Sequence, residues 1–156
     1  ASPEATAAAE ESMTTLNKYA AEKLRAFSVS ACTDVTGFGF LGHLLEMLAD
    51  TCSAVIYYDK IPYIEQARMY ADEFLLTGAG QKNRNYVGSN VEFTQVPFAM
   101  EELLFDPQTS GGLLAAVSSK ESEAALASIR ELGLDCDIVG EVIPAAAVKL
   151  RVKAFG

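Results

Sequence analysis

The fold of this chain is organised around one stretch of sequence, Thr33-Asp34-Val35-Thr36-Gly37-Phe38-Gly39-Phe40-Leu41-Gly42-His43. It combines one acid, two hydroxyls, three glycines and the only histidine of the chain. Residues 28–32, before it, are small and compatible with a β-strand, whereas residues 44–49, after it, carry apolar side chains at helical spacing. The pattern predicts a strand, a tight loop and a helix.

A strand, a loop and a helix in this order predict a site for phosphate. The first N–H groups of a helix lack partners within the helix, and they bind anions at its start. Thr33, Thr36 and Gly37 are therefore the candidate phosphate-facing residues. An acid beside phosphate indicates a metal, because Mg²⁺ takes one or two protein carboxylates and completes its shell with water and phosphate oxygens. Asp34 is the candidate metal ligand.

The same stretch contains a second pattern with a different implication. Residues 37–42 satisfy the G-x-G-x-x-G pattern of dinucleotide-binding folds, and Asp59 lies near the distance expected for the ribose-binding acid. In that motif the first glycine follows the strand almost directly, whereas several residues intervene here. A pyrophosphate would also be repelled by Asp34 unless a cation lay between them. We favour a site for a metal ion and phosphate, and a dinucleotide-binding site stays open as an alternative.

Composition limits the classes of protein to consider. The 156 residues, of which 50% are hydrophobic, suffice for one domain. A net charge of -9 argues against nucleic acid or an anionic membrane as a partner. Cys32, Cys52 and Cys136 show neither a disulfide framework nor zinc spacing, which favours the reducing cytoplasm. No membrane span or signal peptide is recognisable, so we expect a soluble chain. The abrupt start without an initiator Met suggests a fragment.

Helices and strands are predicted to alternate along the chain. Helices are expected over residues 4–26, 44–50, 63–75, 97–104 and 120–132. Strands are expected over residues 28–32, 52–58, 91–93, 113–117, 138–143 and 148–152, the last two as a closing hairpin-like pair at an edge. Residues 77–90 are the longest predicted loop, interpreted as a surface excursion. Together these elements predict a single α+β domain over residues 1–156, in which helices pack on a mixed β-sheet.

A second glycine-bearing loop precedes the apolar strand at 113–117. Its sequence is Asp106-Pro107-Gln108-Thr109-Ser110-Gly111-Gly112. The two glycines allow close backbone approach, while Thr109 and Ser110 either donate to an anion or cap the turn. Capping is the favoured interpretation of the two hydroxyls.

The two motifs together resemble the signatures of the carboxy-terminal domain of the selenophosphate synthetase (selenide, water dikinase) family, in the aminoimidazole ribonucleotide synthetase superfamily. The motifs are residues 33–43 and 106–114, in the family's order and at about its separation. Weaker features that resemble the family are Leu16-Asn17-Lys18, as its lead-in, and Gly78, Gly80, Arg84 and Asn85, as its middle loop. The resemblance covers residues 13 to 142, and Phe40 departs mildly from the family pattern, which we expect to affect packing only.

The resemblance implies a two-domain, homodimeric enzyme that converts ATP, selenide and water into selenophosphate, AMP and orthophosphate. ATP and Mg²⁺ would lie in the cleft between the domains, with Asp34 as the metal ligand contributed by this one. The ATP-binding amino-terminal domain, which is also expected to form the dimer, is absent from the sequence. We therefore expect no catalytic residue here and no activity of this fragment alone. The alternatives are a purine-biosynthesis synthetase or thiamine monophosphate kinase of the same superfamily, or a non-catalytic dinucleotide-binding module.

Four other polar residues lie in or near the motifs. Cys32 is interpreted as a packing residue of the strand, and His43 as a helix-flank residue away from the strand end. Asn17 is interpreted as a solvated residue. The role of Asp106, which either starts a turn or faces the cleft, is left open.

Overall fold

Seven α-helices and six β-strands make up the fold in a computed structural model that describes all residues from Ala1 to Gly156. The helices are α1 Pro3–Thr14, α2 Lys18–Leu24, α3 Gly39–Met47, α4 Glu65–Asp72, α5 Gly78–Val87, α6 Phe98–Phe105 and α7 Ser122–Arg130. The strands are β1 Val29–Asp34, β2 Cys52–Tyr57, β3 Val91–Phe93, β4 Leu113–Val117, β5 Gly140–Pro144 and β6 Leu150–Lys153. The predicted α+β class is confirmed. None of the helices combines the length and apolar character needed to cross a membrane.

The strands form two sheets, whereas the sequence predicted one. β1 and β4 pair antiparallel with each other, and the other four strands follow the order β3-β6-β2-β5. In the smaller sheet Asp34 lies opposite Leu113 and Cys32 lies opposite Ala115. The two strands lead into and out of the two glycine-bearing loops, and the backbones of these loops also pair. That continued pairing holds β1 and β4 together as a separate ribbon.

The predicted pairing of the last two strands is wrong. β5 pairs antiparallel with β2 at one edge, while β6 lies inside the sheet, parallel to both β2 and β3. Leu150 and Val152 of β6 are fully buried, and Arg151 between them is exposed. The exposed Arg151 therefore marks only the outer face of an internal strand and not an edge of the sheet.

One apolar core fixes the stretch that carries the first motif. It combines residues from the first motif, α3, the larger sheet, α5, α6 and β4, namely Val35, Phe40, Leu41, Leu44, Ala54, Ile56, Val87, Leu104, Phe105, Leu114, Leu150 and Val152. Helix α3 packs against β1, α5 and α6. Because Val35 and Phe40 on either side of the loop are both buried, the loop between them is held at both ends.

The predicted helix over residues 4–26 is interrupted in the structure. α1 ends at Thr14 and α2 begins at Lys18. Between them the Asn17 side chain donates a hydrogen bond from Nδ2 to the Gly111 carbonyl at 2.8 Å, so Asn17 is not merely solvated. This contact is distant in sequence, which is why helical periodicity did not reveal the break.

The predicted loop over residues 77–90 is mostly helix. Thr77 caps the start of α5 by accepting a hydrogen bond at Oγ1 from the Gly80 N–H at 3.0 Å. The helix ends at Val87, and Gly88 after it has a φ of +52°, which favours glycine. Its glycines and asparagines are poor helix formers, and packing of the buried Val87 and Asn83 stabilises it instead.

Candidate functional site

Asp34 is the last residue of β1 and points its side chain away from the core. The strand runs two residues further than predicted, so Thr33 and Asp34 belong to it. Exposed and half-buried positions alternate along β1, with Ser30, Cys32 and Asp34 on the exposed face. Thr33 Oγ1 donates a hydrogen bond to the backbone oxygen of Asp34 at 3.2 Å, and not to its carboxylate. The carboxylate is therefore exposed and available to a ligand.

The two glycine-bearing loops lie side by side at this end of the β1–β4 ribbon. The Val35 N–H donates to the Gly112 carbonyl at 2.9 Å, and the Gly111 N–H donates to the Val35 carbonyl at 2.9 Å. The Gln108 N–H donates to the Thr36 carbonyl at 3.0 Å. Two motifs separated by more than sixty residues therefore form one site, with Asp34 beside their junction.

Two glycines of these loops are required by close backbone contacts. A Cβ at Gly111 would lie 2.4 Å from the Val35 carbonyl oxygen. Gly39 has a φ of +70°, and a Cβ there would lie 2.8 Å from the carbonyl carbon and oxygen of Phe105. A Cβ at Gly37 would meet no atom within 4 Å. The glycines thus have different roles, and those of Gly39 and Gly111 are to let backbones approach.

Several backbone N–H groups of the two loops have no acceptor within the chain. They belong to residues 36–38 of the first loop and to Thr109, Ser110 and Gly112 of the second. No side chain caps the start of α3 either. Most of these residues are exposed. Free N–H groups on exposed turns and at a helix start are donors that bind phosphate.

The Thr36 hydroxyl is already engaged by His43. Thr36 Oγ1 lies 3.0 Å from His43 Nε2, while His43 Nδ1 lies 3.6 Å from a carboxylate oxygen of Glu46. The interpretation of His43 as distant from the strand end is therefore wrong. Helix α3 begins at Gly39, which places His43 only one turn into the helix, where its ring reaches back to the loop. The backbone N–H of Thr36 remains free.

Asp106 contacts the start of α5. Thr77 Oγ1 donates to Asp106 Oδ1 at 3.0 Å while it accepts from the Gly80 N–H. Burial raises the pKa of Asp106 above its ordinary value, and the hydrogen bond from Thr77 opposes this rise in part. Asp106, whose role the sequence left open, thus links the second loop to α5.

The raised pKa of Asp106 makes part of the stability depend on pH. Between the ordinary pKa of 3.8 and the raised value, the folded chain holds a proton that the unfolded chain has lost, so this group lowers stability as pH rises. Asp106→Asn keeps an oxygen for Thr77 but cannot ionise. We expect the free energy of unfolding of this variant, relative to wild type, to increase from about pH 4 to about pH 7. Urea unfolding across this range measures it, and a difference that does not change with pH contradicts the assignment.

Cys32 is exposed, not packed as predicted. It shares the outer face of β1 with Asp34, and no second layer of this chain covers that face of the two-stranded ribbon. Partial desolvation and the nearby Asp34 carboxylate raise the pKa of the Cys32 thiol. Cys32 is therefore a protonated thiol at neutral pH, which makes it a poor nucleophile.

Asn83 also contacts this site, although the sequence did not single it out. Its side chain is buried in α5 and donates from Nδ2 to the carbonyl oxygens of Gly37 and Phe105, at 2.9 Å each. The one available signal was an asparagine three residues after Gly80 in a segment of weak helix formers, which does not reveal its hydrogen-bond partners. Asn17 and Asn83 thus both bond loop carbonyls from outside the ribbon.

The residues of this site fit a metal ion that takes most of its ligands from other molecules or from other parts of a protein. No cluster of three or more His, Cys, Asp or Glu side chains in the chain could hold a metal by itself. One exposed carboxylate beside free N–H groups suits Mg²⁺, which combines a single protein carboxylate with phosphate oxygens and water.

Comparison with known protein families assigns the chain to a family. The family model described as "AIR synthase related protein, C-terminal domain" matches residues 1–153, which is nearly the whole chain. The chain belongs to this family. The predicted membership of the superfamily is confirmed, and both loops of the site lie within the matched part of this AIR synthase related domain.

Similar proteins carry the name "Selenide, water dikinase". One from Desulfitobacterium hafniense is 50% identical over 137 residues, which are 88% of this chain and 40% of the relative. One from Agathobacter rectalis is 54% identical over 142 residues, 90% of this chain and 42% of the relative. One from Carboxydothermus hydrogenoformans is 44% identical over 145 residues, 92% of this chain and 42% of the relative. The AIR synthase related domain thus spans about two fifths of these relatives.

Proposed function

We propose that this chain is the carboxy-terminal domain of a selenophosphate synthetase, an enzyme that makes selenophosphate, AMP and orthophosphate from ATP, selenide and water. The observation that carries the proposal is the exposed Asp34 carboxylate, placed where the two motif loops join. High identity to proteins named selenide, water dikinase supports the choice of reaction.

The residues of the site have distinct proposed roles. Asp34 would hold Mg²⁺, and the free N–H groups of residues 36–38 would contact phosphate oxygens. A Mg²⁺ ion held there would supply positive charge against the negative charge that develops during phosphoryl transfer. Thr33 supports the end of β1 next to the ligand, and the chain forms one wall of the ATP cleft.

The remainder of the enzyme would supply the rest of the site. We assign the ATP-binding part and the homodimer contacts to an amino-terminal domain, since the relatives are more than twice as long as this chain. An apolar patch supports a covering partner: Phe74 is 72% exposed, and its ring centroid lies 5.4 Å from that of the exposed Phe98. Three free cysteines support a cytoplasmic location.

Product analysis tests the proposed function. The complete protein and the 156-residue chain are each supplied with ATP, Mg²⁺ and selenide, and phosphorus NMR follows the products. We expect selenophosphate, AMP and orthophosphate from the complete protein and no turnover by the chain alone. Formation of ADP regardless of selenide contradicts the proposed reaction. Turnover by the chain at the rate of the complete protein contradicts its dependence on another domain.

A further inference from the structure

Asn83 bonds the first motif loop and the residue just before the second loop with one side chain. Its amide group has two N–H donors, and these reach the carbonyl oxygens of Gly37 and Phe105, at 2.9 Å each. Gly37 is the turn of the first loop, and Phe105 immediately precedes the second. Phe105 is also the last residue of α6, so its carbonyl lacks a donor within that helix. Asn83 therefore supplies hydrogen bonds at the point where the loops meet.

The bond to Gly37 also determines where the next N–H points. In a planar trans peptide the C=O and N–H groups point in opposite directions. The Gly37 carbonyl points into the protein, toward the buried Asn83, so the N–H of Phe38 points outward. That N–H has no acceptor within the chain, and Phe38 is 46% exposed.

The Gly39 N–H closes the turn around this peptide by donating to the Thr36 carbonyl at 3.0 Å, and the Phe38 ring stacks on Tyr86 with ring centroids 5.6 Å apart. Neither contact involves the Gly37 carbonyl, and a four-residue turn keeps its closing hydrogen bond with the central peptide in either of two orientations. The two orientations are related by rotation about ψ of Gly37 and φ of Phe38, and the space around the Gly37 Cα is open. Without its partner in α5, the Gly37–Phe38 peptide could rotate and turn its carbonyl oxygen outward. A phosphate would then face an acceptor where it requires a donor.

We propose that Asn83 is a positioning residue that fixes the Gly37–Phe38 peptide so that the Phe38 N–H donates to a phosphate oxygen of the nucleotide. This inference rests on the proposed function, because it takes ATP as the ligand beside Asp34. Asn83 touches no substrate and acts through the loop backbone. A neutral side chain on α5 thereby orients a backbone N–H of the neighbouring loop toward phosphate.

A matched pair of variants tests the proposal in the complete protein. Asn83→Ala removes both hydrogen bonds, whereas Asn85→Ala removes an exposed asparagine of the same helix. We expect Asn83→Ala to weaken binding of the magnesium complex of adenylyl imidodiphosphate about tenfold, as for the loss of one hydrogen bond to a charged group. Calorimetry gives the dissociation constants. Equal constants for the two variants overturn the proposal.

A second pair of variants tests the N–H itself and does not depend on Asn83→Ala folding. Phe38→Pro removes the N–H at a residue whose φ of -83° is near that of proline, and Phe38→Ala removes the ring but keeps the N–H. We expect weaker analogue binding by Phe38→Pro than by Phe38→Ala. In the Phe38→Pro background, Asn83→Ala should have no further effect on binding, because the donor is already gone. Equal affinity of the two Phe38 variants, or full effects of both changes in the double variant, overturns the proposal.

NMR of the 156-residue chain separates failure of this inference from failure of the proposed function. We expect Asn83→Ala, but not Asn85→Ala, to broaden or shift the amide signals of Gly37 and Phe38, without any nucleotide present. Unchanged signals overturn the role of Asn83 and leave the proposed function intact. A complete protein that does not bind the analogue refutes the proposed function, while the NMR result still decides whether Asn83 holds the peptide.

Discussion

The Asp34→Asn variant of the complete enzyme is expected to lose at least about 100-fold in selenide-dependent activity while folding normally. An amide keeps the shape of the carboxylate but not the negative charge that holds Mg²⁺. The side chain is exposed at the end of β1, so its replacement should change the free energy of unfolding by less than about 0.5 kcal/mol. Steady-state rates at several Mg²⁺ concentrations and urea unfolding give the two quantities.

Asp50→Asn is the matched control for this prediction. Asp50 is also exposed, and it lies in the turn after α3, away from the loop junction. We expect this variant to keep wild-type activity. If Asp34→Asn were as active as Asp50→Asn, Asp34 would not be a metal ligand. If Asp34→Asn instead lowered the free energy of unfolding substantially, the role of Asp34 would be to stabilise the fold.

The second large effect is expected at Gly39. Gly39→Ala should lower the free energy of unfolding by about 3 kcal/mol, because an alanine there combines unfavourable backbone strain with overpacking. Gly39 has a φ of +70°, and the added Cβ would lie 2.8 Å from the Phe105 carbonyl group. The neighbouring atoms belong to backbone and cannot rotate away. Urea denaturation of the 156-residue chain measures the change.

Gly37→Ala is the control for the Gly39 prediction. It lies in the same loop, but its Cβ would meet nothing within 4 Å. We expect a change of less than about 1 kcal/mol in the free energy of unfolding. Similar losses for the two variants would show that the contact between Gly39 and Phe105 does not determine the loop conformation.

The features that local sequence determines were predicted correctly. The apolar run at Leu113–Val117 is a strand, and the amphipathic segment at Ser122–Arg130 is a helix inside the predicted range. Small residues before the first motif and helical spacing after it predicted β1 and α3, with errors of two residues at the end of β1 and five residues at the start of α3. Asp34 could be singled out because an acid between a strand and a glycine-rich turn is an uncommon combination.

The features that long-range contacts determine were not predictable from local patterns. The burial of Leu150 and Val152 arises from two parallel neighbours, which the sequence of β6 does not reveal. The helix α5 is held by Asn83 and Val87, against the low helix propensity of its glycines. The contact of His43 with Thr36 depends on where α3 begins, and helix ends are the least certain part of a prediction.

The central claim is that Asp34 shares a divalent ion with a nucleotide, and a crystal structure of the complete protein with Mg²⁺ and adenylyl imidodiphosphate tests it most directly. The account predicts an Asp34 carboxylate oxygen about 2.1 Å from Mg²⁺, in a shell completed by phosphate and water oxygens and by ligands from the rest of the protein. A Mg²⁺ ion whose coordination shell is complete without Asp34 would contradict it.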